Sequence, residues 1–216
     1  PVFHDVDKVV YDIIDVVENR CRVRQALIAD TVYDNLCTLP AHNQASGKVT
    51  GANIKHIVNS LSESFDYILL DCPAGIEVGF HRAVAASGEA IIVTTPHISS
   101  IRDADKVISI LNNYMFDNIS LVINRVRGDL ILNYEMLDIE NIVELLGVPP
   151  LGVIPESDDI SAYAATGARL KSSSAATDAF DTLAKNLHTG SNKIYDCISP
   201  YKGFLGKIRR NIKRMV

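Results

Sequence analysis

FDYILLDCPAGIE, Phe65 to Glu77, decides how the rest of the chain is read. A hydrophobic run drives into an aspartate, and a Pro-Ala-Gly turn follows at once. The apolar run Tyr67-Ile68-Leu69-Leu70 predicts a short buried strand of a parallel sheet, bounded by a turn signal. In open α/β sheets ligands bind at the carboxyl ends of strands, where Asp71 falls. An acid there, beside a tight turn, suits a magnesium ion carried by a bound nucleotide.

Outward from this stretch, strands alternate with helices. Helical spacing is read over Val6–Val17, Gly51–Leu61 and Val78–Ser87, and Leu36–Pro40 reads as a short strand. Glu89–Pro96 is a strong strand ended by proline. Ser99 and Ser100 suit the cap of the helix that follows, in which Ile101, Ala104, Val107, Ile108 and Leu111 keep a 3.6 period. Then come the strand ISLVINRV, a helix over Tyr134–Gly147 with Gly147 as its stop, the strand PLGVIPE, a short helix SDDISAYAATG and a longer one over Ser174–Leu187. Such alternation predicts a mostly parallel α/β sheet with helices on both faces. His188–Tyr201 lacks a period and reads as a linker, so the expected organisation is a domain over 1–187, a linker over 188–201 and a terminal helix over 202–216.

Composition narrows the class. With 47% hydrophobic and 22% charged residues over 216 positions, the chain is ordinary globular protein with room for one sizeable domain. The four cysteines have no CxxC spacing and the six histidines no helical pairing, so neither zinc nor a disulfide framework is indicated, and a reducing compartment is expected. No apolar run approaches the roughly 18 to 20 residues that cross a bilayer.

Charge is divided unevenly. Lys202, Lys207, Arg209, Arg210, Lys213 and Arg214 are six cations with no acid among residues 202–216. Setting them aside leaves 15 basic against 26 acidic residues, so a body near −11 carries a tail near +6. In the tail Phe204, Leu205, Ile208, Ile212 and Met215 form one apolar stripe, with cations on its flanks and opposite face. A helix of this kind lies in a lipid headgroup region, each cation adding roughly 1 kcal/mol at an anionic surface. Its five apolar side chains are too few for permanent anchoring, so reversible binding is expected, firm when two tails act together. Aromatic residues interleaved for base stacking are absent apart from Phe204, which argues against nucleic acid. The remaining alternative is a docking helix for another protein.

A phosphate loop needs glycines, then lysine, then Ser or Thr. The Gly-Lys pairs here, Gly47-Lys48 and Gly206-Lys207, are followed by valine and isoleucine, so no phosphate loop is read. DCPAGIE at 71–77, EAIIVTTPHISSIRDADKVISIL at 89–111, LGVIPE at 151–156 and the closing KGFLGKI together resemble the MinD family, ATPases of bacterial division-site placement within the MinD/ParA group of P-loop NTPases. The resemblance runs over nearly the whole chain. It implies a phosphate-loop segment expected upstream of Pro1, and ATP and Mg2+ as cofactors.

By that resemblance Asp71 would hold magnesium through water, the alternative being a cap on the following turn. Gly75 would be the switch glycine sensing the γ-phosphate, or simply a tight turn. Glu77 would join the ATP-dependent homodimer contact, or be an exposed helix-start acid. Asn124 would read the adenine edge, or cap a loop, with Pro155 and Glu156 flanking the ring. Ser99, Asp103 and Asp105 would belong to the surface that binds the division inhibitor MinC and overlaps the site of MinE; the alternative is a helix start with favourable acids. Phe204, Leu205, Lys207, Ile208, Arg209, Arg210, Ile212, Lys213, Arg214 and Met215 would reach anionic membrane lipid, placing the protein in the bacterial cytoplasm and at the inner face of the membrane. Cys72 reads as a small buried residue, since no histidine is placed to activate it. The implied function is a membrane-cycling ATPase; the alternatives are a non-enzymatic membrane and partner scaffold, or a ParA-like segregation ATPase.

Overall fold

The structure, a computed structural model, describes residues 10–41, 47–73, 75–114, 116, 118–167 and 173–213. The chain divides into two units, Pro1–Gly88 and Glu89–Val216.

In the first unit the Asp12 carboxylate accepts the amide N–H groups of Ile14 (2.7 Å) and Asp15 (3.2 Å), and helix α1 runs Ile13–Val17. The helix expected from Val6 starts at this cap instead, and residues 1–9 lie outside the described residues. Helix α2 (Val23–Ala26) leads to strand β1 (Ile28–Ala29), antiparallel to β2 (Cys37–Thr38). The strand expected at Leu36–Pro40 is therefore one arm of a small hairpin and not part of the parallel sheet. Helix α3 (Gly51–Leu61) starts where expected, because Thr50 Oγ1 accepts the Asn53 amide N–H at 3.2 Å. It packs on α4 (Val78–Val84), and Gly51 permits the approach: a Cβ there would lie 2.7 Å from that of Ala85.

Tyr67–Leu70 departs from expectation. It forms no ladder among the described residues, and Tyr67 and Leu69 are 50% and 76% exposed. A strand is completed by its neighbour's hydrogen bonds, which an apolar run cannot supply for itself.

The second unit holds the parallel sheet, β3 (Glu89–Thr94), β4 (Asn118–Val126) and β5 (Pro150–Pro155) in the order β3-β4-β5. Helix α5 (Ile98–Asn113) joins the first pair; α6 (Gly128–Leu132) and α7 (Ile139–Leu146) join the second. Helices α8 (Asp158–Thr166) and α9 (Ala175–Thr189), a 3-10 turn at Ser199–Tyr201 and α10 (Gly203–Lys213) complete it. The helix expected over Tyr134–Gly147 is the shorter α7, because Asp138 caps it by accepting the Asn141 amide N–H; its stop is Gly147, with φ +62. The cap of α5 is the His97 backbone position, not a serine: Ser100 Oγ lies within the first turn, 2.9 Å from the Thr95 hydroxyl that donates to it.

Register sorts the core into two faces. Ile92, Leu121, Thr94, Ile123 and Val153 share one face by direct pairing and are all buried. On the other, Val122 and Ile154 pack with Ala179, Leu183 and Tyr195, beneath α9. Gly152 lets α9 settle, since a Cβ there would lie 2.8 Å from Leu183 Cδ1. That face is covered over β4 and β5 but open over β3, where Ile91 and Val93 are exposed.

The stretch expected as a linker is tied down. Asn186, buried in α9, donates its amide to the Leu151 and Lys193 carbonyls, both at 2.8 Å. Tyr195 packs on the sheet, and Cys197 is buried against Gly128, where a Cβ would stand 1.9 Å from the Cys197 carbonyl oxygen. A free linker would make none of these contacts.

Candidate functional site

The turn Cys72–Glu77 brings the first unit's candidates together in sequence. Gly75 has φ +99, a left-handed conformation that side chains avoid, so glycine is the residue this turn requires. Pro73 and Gly79 touch across the turn, where a Cβ on Gly79 would lie 2.9 Å from Pro73 Cγ. Glu77 is the N-cap position of α4 but makes no side-chain cap, leaving its carboxylate exposed. Asp71 is exposed as well. Cys72, expected to be buried, is exposed, because the run before it lacks a covering ladder. Partial desolvation and then the Asp71 carboxylate push its thiol pKa up, away from the thiolate form.

The second unit's candidates meet at the carboxyl ends of β4 and β5. Ladder pairing shifts between Ile123 and Val126, and within this bulge Arg125 takes φ +59. The Asn124 side-chain oxygen accepts the Arg125 amide N–H at 2.8 Å, which holds the bulge. The loop-capping role and a free amide NH2 thus coexist in one asparagine. The bulge turns Arg125 outward, and its guanidinium donates to Glu156 Oε1 at 3.0 Å. Pro155 closes β5 and Glu156 donates its backbone N–H to the Val126 carbonyl. Asn124, Arg125, Pro155 and Glu156 therefore form one edge. Sequence reasoning missed Arg125, since a left-handed arginine inside a β-like run leaves no periodic signal.

Beside this edge stands a pair the sequence also concealed. Asp129, 1% exposed, accepts two bonds from Arg127, from Nε at 2.9 Å and Nη2 at 2.6 Å. These bonds to Asp129 raise the Arg127 pKa against the opposing cost of burial.

On α5 the exposed stripe carries Ser99, Asp103 and Lys106; Asp105 is exposed too, but about 100° round the helix from Lys106. Asp103 pairs with Lys106 at 3.1 Å in the open. On α10, Phe204 and Leu205 are 80% and 79% exposed and Ile208 45%. The opposite face carries Gly206, buried on the turn before the helix: a Cβ there would stand 2.2 Å from the Tyr201 carbonyl carbon. The helix is thus seated by its non-stripe side. Lys207, Arg209, Arg210, Ile212 and Lys213 lie along α10, whereas Arg214 and Met215 lie outside the described residues.

Among the described residues no group of three or more His, Cys, Asp or Glu could hold a metal ion, and no helix is long and apolar enough to cross a membrane. A magnesium ion that keeps its waters and binds substrate phosphates needs only one or two carboxylates, and a lone exposed Asp71 fits that demand.

No protein-family model matches the chain. The septum site-determining protein MinD of Synechocystis sp. is 37% identical over 209 residues, covering 95% of this chain and 79% of its own length. Among solved structures, the MinC:MinD cell division protein complex of Aquifex aeolicus superposes with a TM-score of 0.80 at 34% identity, covering 88% of this chain and 78% of that one. The septum site-determining protein MinD of Pyrococcus horikoshii OT3, complexed with Mg-ADP, gives 0.73 at 27% identity, covering 85% and 76%.

Proposed function

Because this chain belongs to the MinD family of septum site-determining proteins, we propose that it acts in division-site placement as an ATPase cycling on and off the inner membrane. ATP with magnesium closes a homodimer, two α10 helices hold anionic lipid together, MinC is recruited, and hydrolysis releases all of it. Asp71 would hold magnesium through water, and the ion would supply charge neutralisation to the phosphates. The Gly75 backbone senses the γ-phosphate and Glu77 lies at the dimer contact. Asn124, its oxygen occupied by Arg125, donates its amide to a ring nitrogen of adenine, with Pro155 and Glu156 alongside. Ser99, Asp103 and Asp105 face MinC, and an activator of the MinE type competes for the same stripe. The MinC:MinD complex and the Mg-ADP complex of related proteins support this reading.

The observation that carries the membrane half is the exposure of Phe204 and Leu205 on a helix whose other side is seated. Avidity makes the switch: a single tail binds weakly, and pairing two raises binding by a large factor without new contacts. Sedimentation of the protein with anionic vesicles, with ATP and magnesium or with ADP, is the test. Wild type should sediment more with ATP, and Leu205→Glu should stay in solution. Equal sedimentation of the variant would sink the membrane role.

A further inference from the structure

A groove of about 770 Å³ opens between α7 and the chain from Ile194 to Lys202. Ile131, Val143 and Ile198 line it with apolar surface, and Asp138, Glu140, Glu144 and Asp196 also border it. Two of these acids are engaged locally: Asp138 caps α7, and Asp196 accepts the Ile198 and Ser199 amide N–H groups at 2.9 Å. Glu140 and Glu144 lie one helical turn apart, exposed, and form no ion pair among the described residues. An apolar surface bordered by unpaired acids suits a guest that is apolar on one side and basic on its flanks.

Such a guest starts one residue from the groove. Lys202 borders it, and α10 begins at Gly203, whose φ of +70 is a conformation that a side chain would resist. We propose that away from lipid α10 leaves its seat on the turn at Ser199–Tyr201, swings about Gly203 and lays Phe204, Leu205 and Ile208 in this groove, with its cations against Glu140 and Glu144. This rests on the reading of α10 as the membrane helix. The same stripe serves both seats, so groove and bilayer exclude each other. Docking removes exposed apolar side chains from water, and the short tether keeps the local concentration of the stripe high. The groove is therefore a competitor that one tail satisfies and that a pair of tails on lipid overcomes.

The test uses the full chain carrying Cys72→Ser, with Val143→Cys and Leu205→Cys together, under mild oxidation and with peptide mapping by mass. An intramolecular disulfide should form without vesicles and fall when phosphatidylglycerol vesicles are added together with ATP and magnesium. Adding Glu140→Lys and Glu144→Lys should lower its yield roughly three- to tenfold, the scale of losing two exposed ion pairs. A yield no higher than that of Leu205→Cys paired with Ser109→Cys overturns the inference, even where wild type still sediments with vesicles. A disulfide at the groove in a protein that ignores vesicles would uphold the groove and end the membrane reading.

Discussion

Asn186 shows how much rests on one side chain. Its amide is buried and bridges the Leu151 and Lys193 carbonyls, fastening β5 to the chain that leads into the tail. Asn186→Leu keeps similar volume but orphans two acceptors, at about 1–3 kcal/mol for each group left buried without a partner. We expect the denaturant midpoint to drop by an amount in that range, with the slope unchanged; an unaltered midpoint would mean the carbonyls find water. Asp196 governs the turn beneath α10. Bonds from Ser199 first, and then from the Ile198 backbone, lower its pKa. A lowered carboxylate contributes stability above its unfolded value, about 3.9, that is lost as pH falls through its native value. Protection factors for the Ser199 and Tyr201 amides, relative to the unstructured rate at each pH, should accordingly be high at pH 7 and fall below about pH 4, and Asp196→Ala should lack protection at both. None of these contacts was legible in the sequence, where 188–201 reads only as a linker, because a hydrogen-bond partner at a distance of 7 or 35 positions leaves no local pattern.

At the scale of elements, β4 is the member on which the sheet depends. Leu121 and Ile123 are fully buried on one face and Val122 on the other, which is why ISLVI reads as a continuous apolar run rather than an alternation. Ile123→Ala should cost about 2–5 kcal/mol, measured by chemical unfolding. Beyond its carboxyl end, α6 is held by Asp129 in its pair with Arg127. Arg127→Met would take the guanidinium from a buried carboxylate and should destabilise by about 3 kcal/mol, more than replacing both partners with Met and Leu. A double variant less stable than the single one would show that the pair itself stabilises the fold. Periodicity was enough to place α3, α5 and α9 to within a few residues. It failed for β1 and α6, which are too short to carry a period, and for Tyr67–Leu70, whose apolar composition was real but whose ladder was absent.

For the whole molecule, charge is the property that acts at long range. A tail near +6 on a body near −11 is drawn toward anionic lipid while the body is repelled, so vesicle binding should depend on ionic strength. Raising salt from about 0.1 to about 0.5 M shortens the screening length from about 10 Å toward about 4 Å, and most binding should be lost. The remainder, due to Phe204 and Leu205, should persist until Leu205→Glu removes it. Binding indifferent to salt would show that the cations take no part.

The α/β class, the family, the Gly147 helix stop and the amphipathic tail are written in local composition and spacing, and so were legible before any fold was known. The rest came from packing. It set the bulge that turns Arg125 toward Glu156, the burial of Asp129 and the tethering of residues 190–198. It also decided which side of α10 faces outward. Each depends on what a residue meets across the fold, and a chain carries no mark of its distant neighbours until register and packing bring them together.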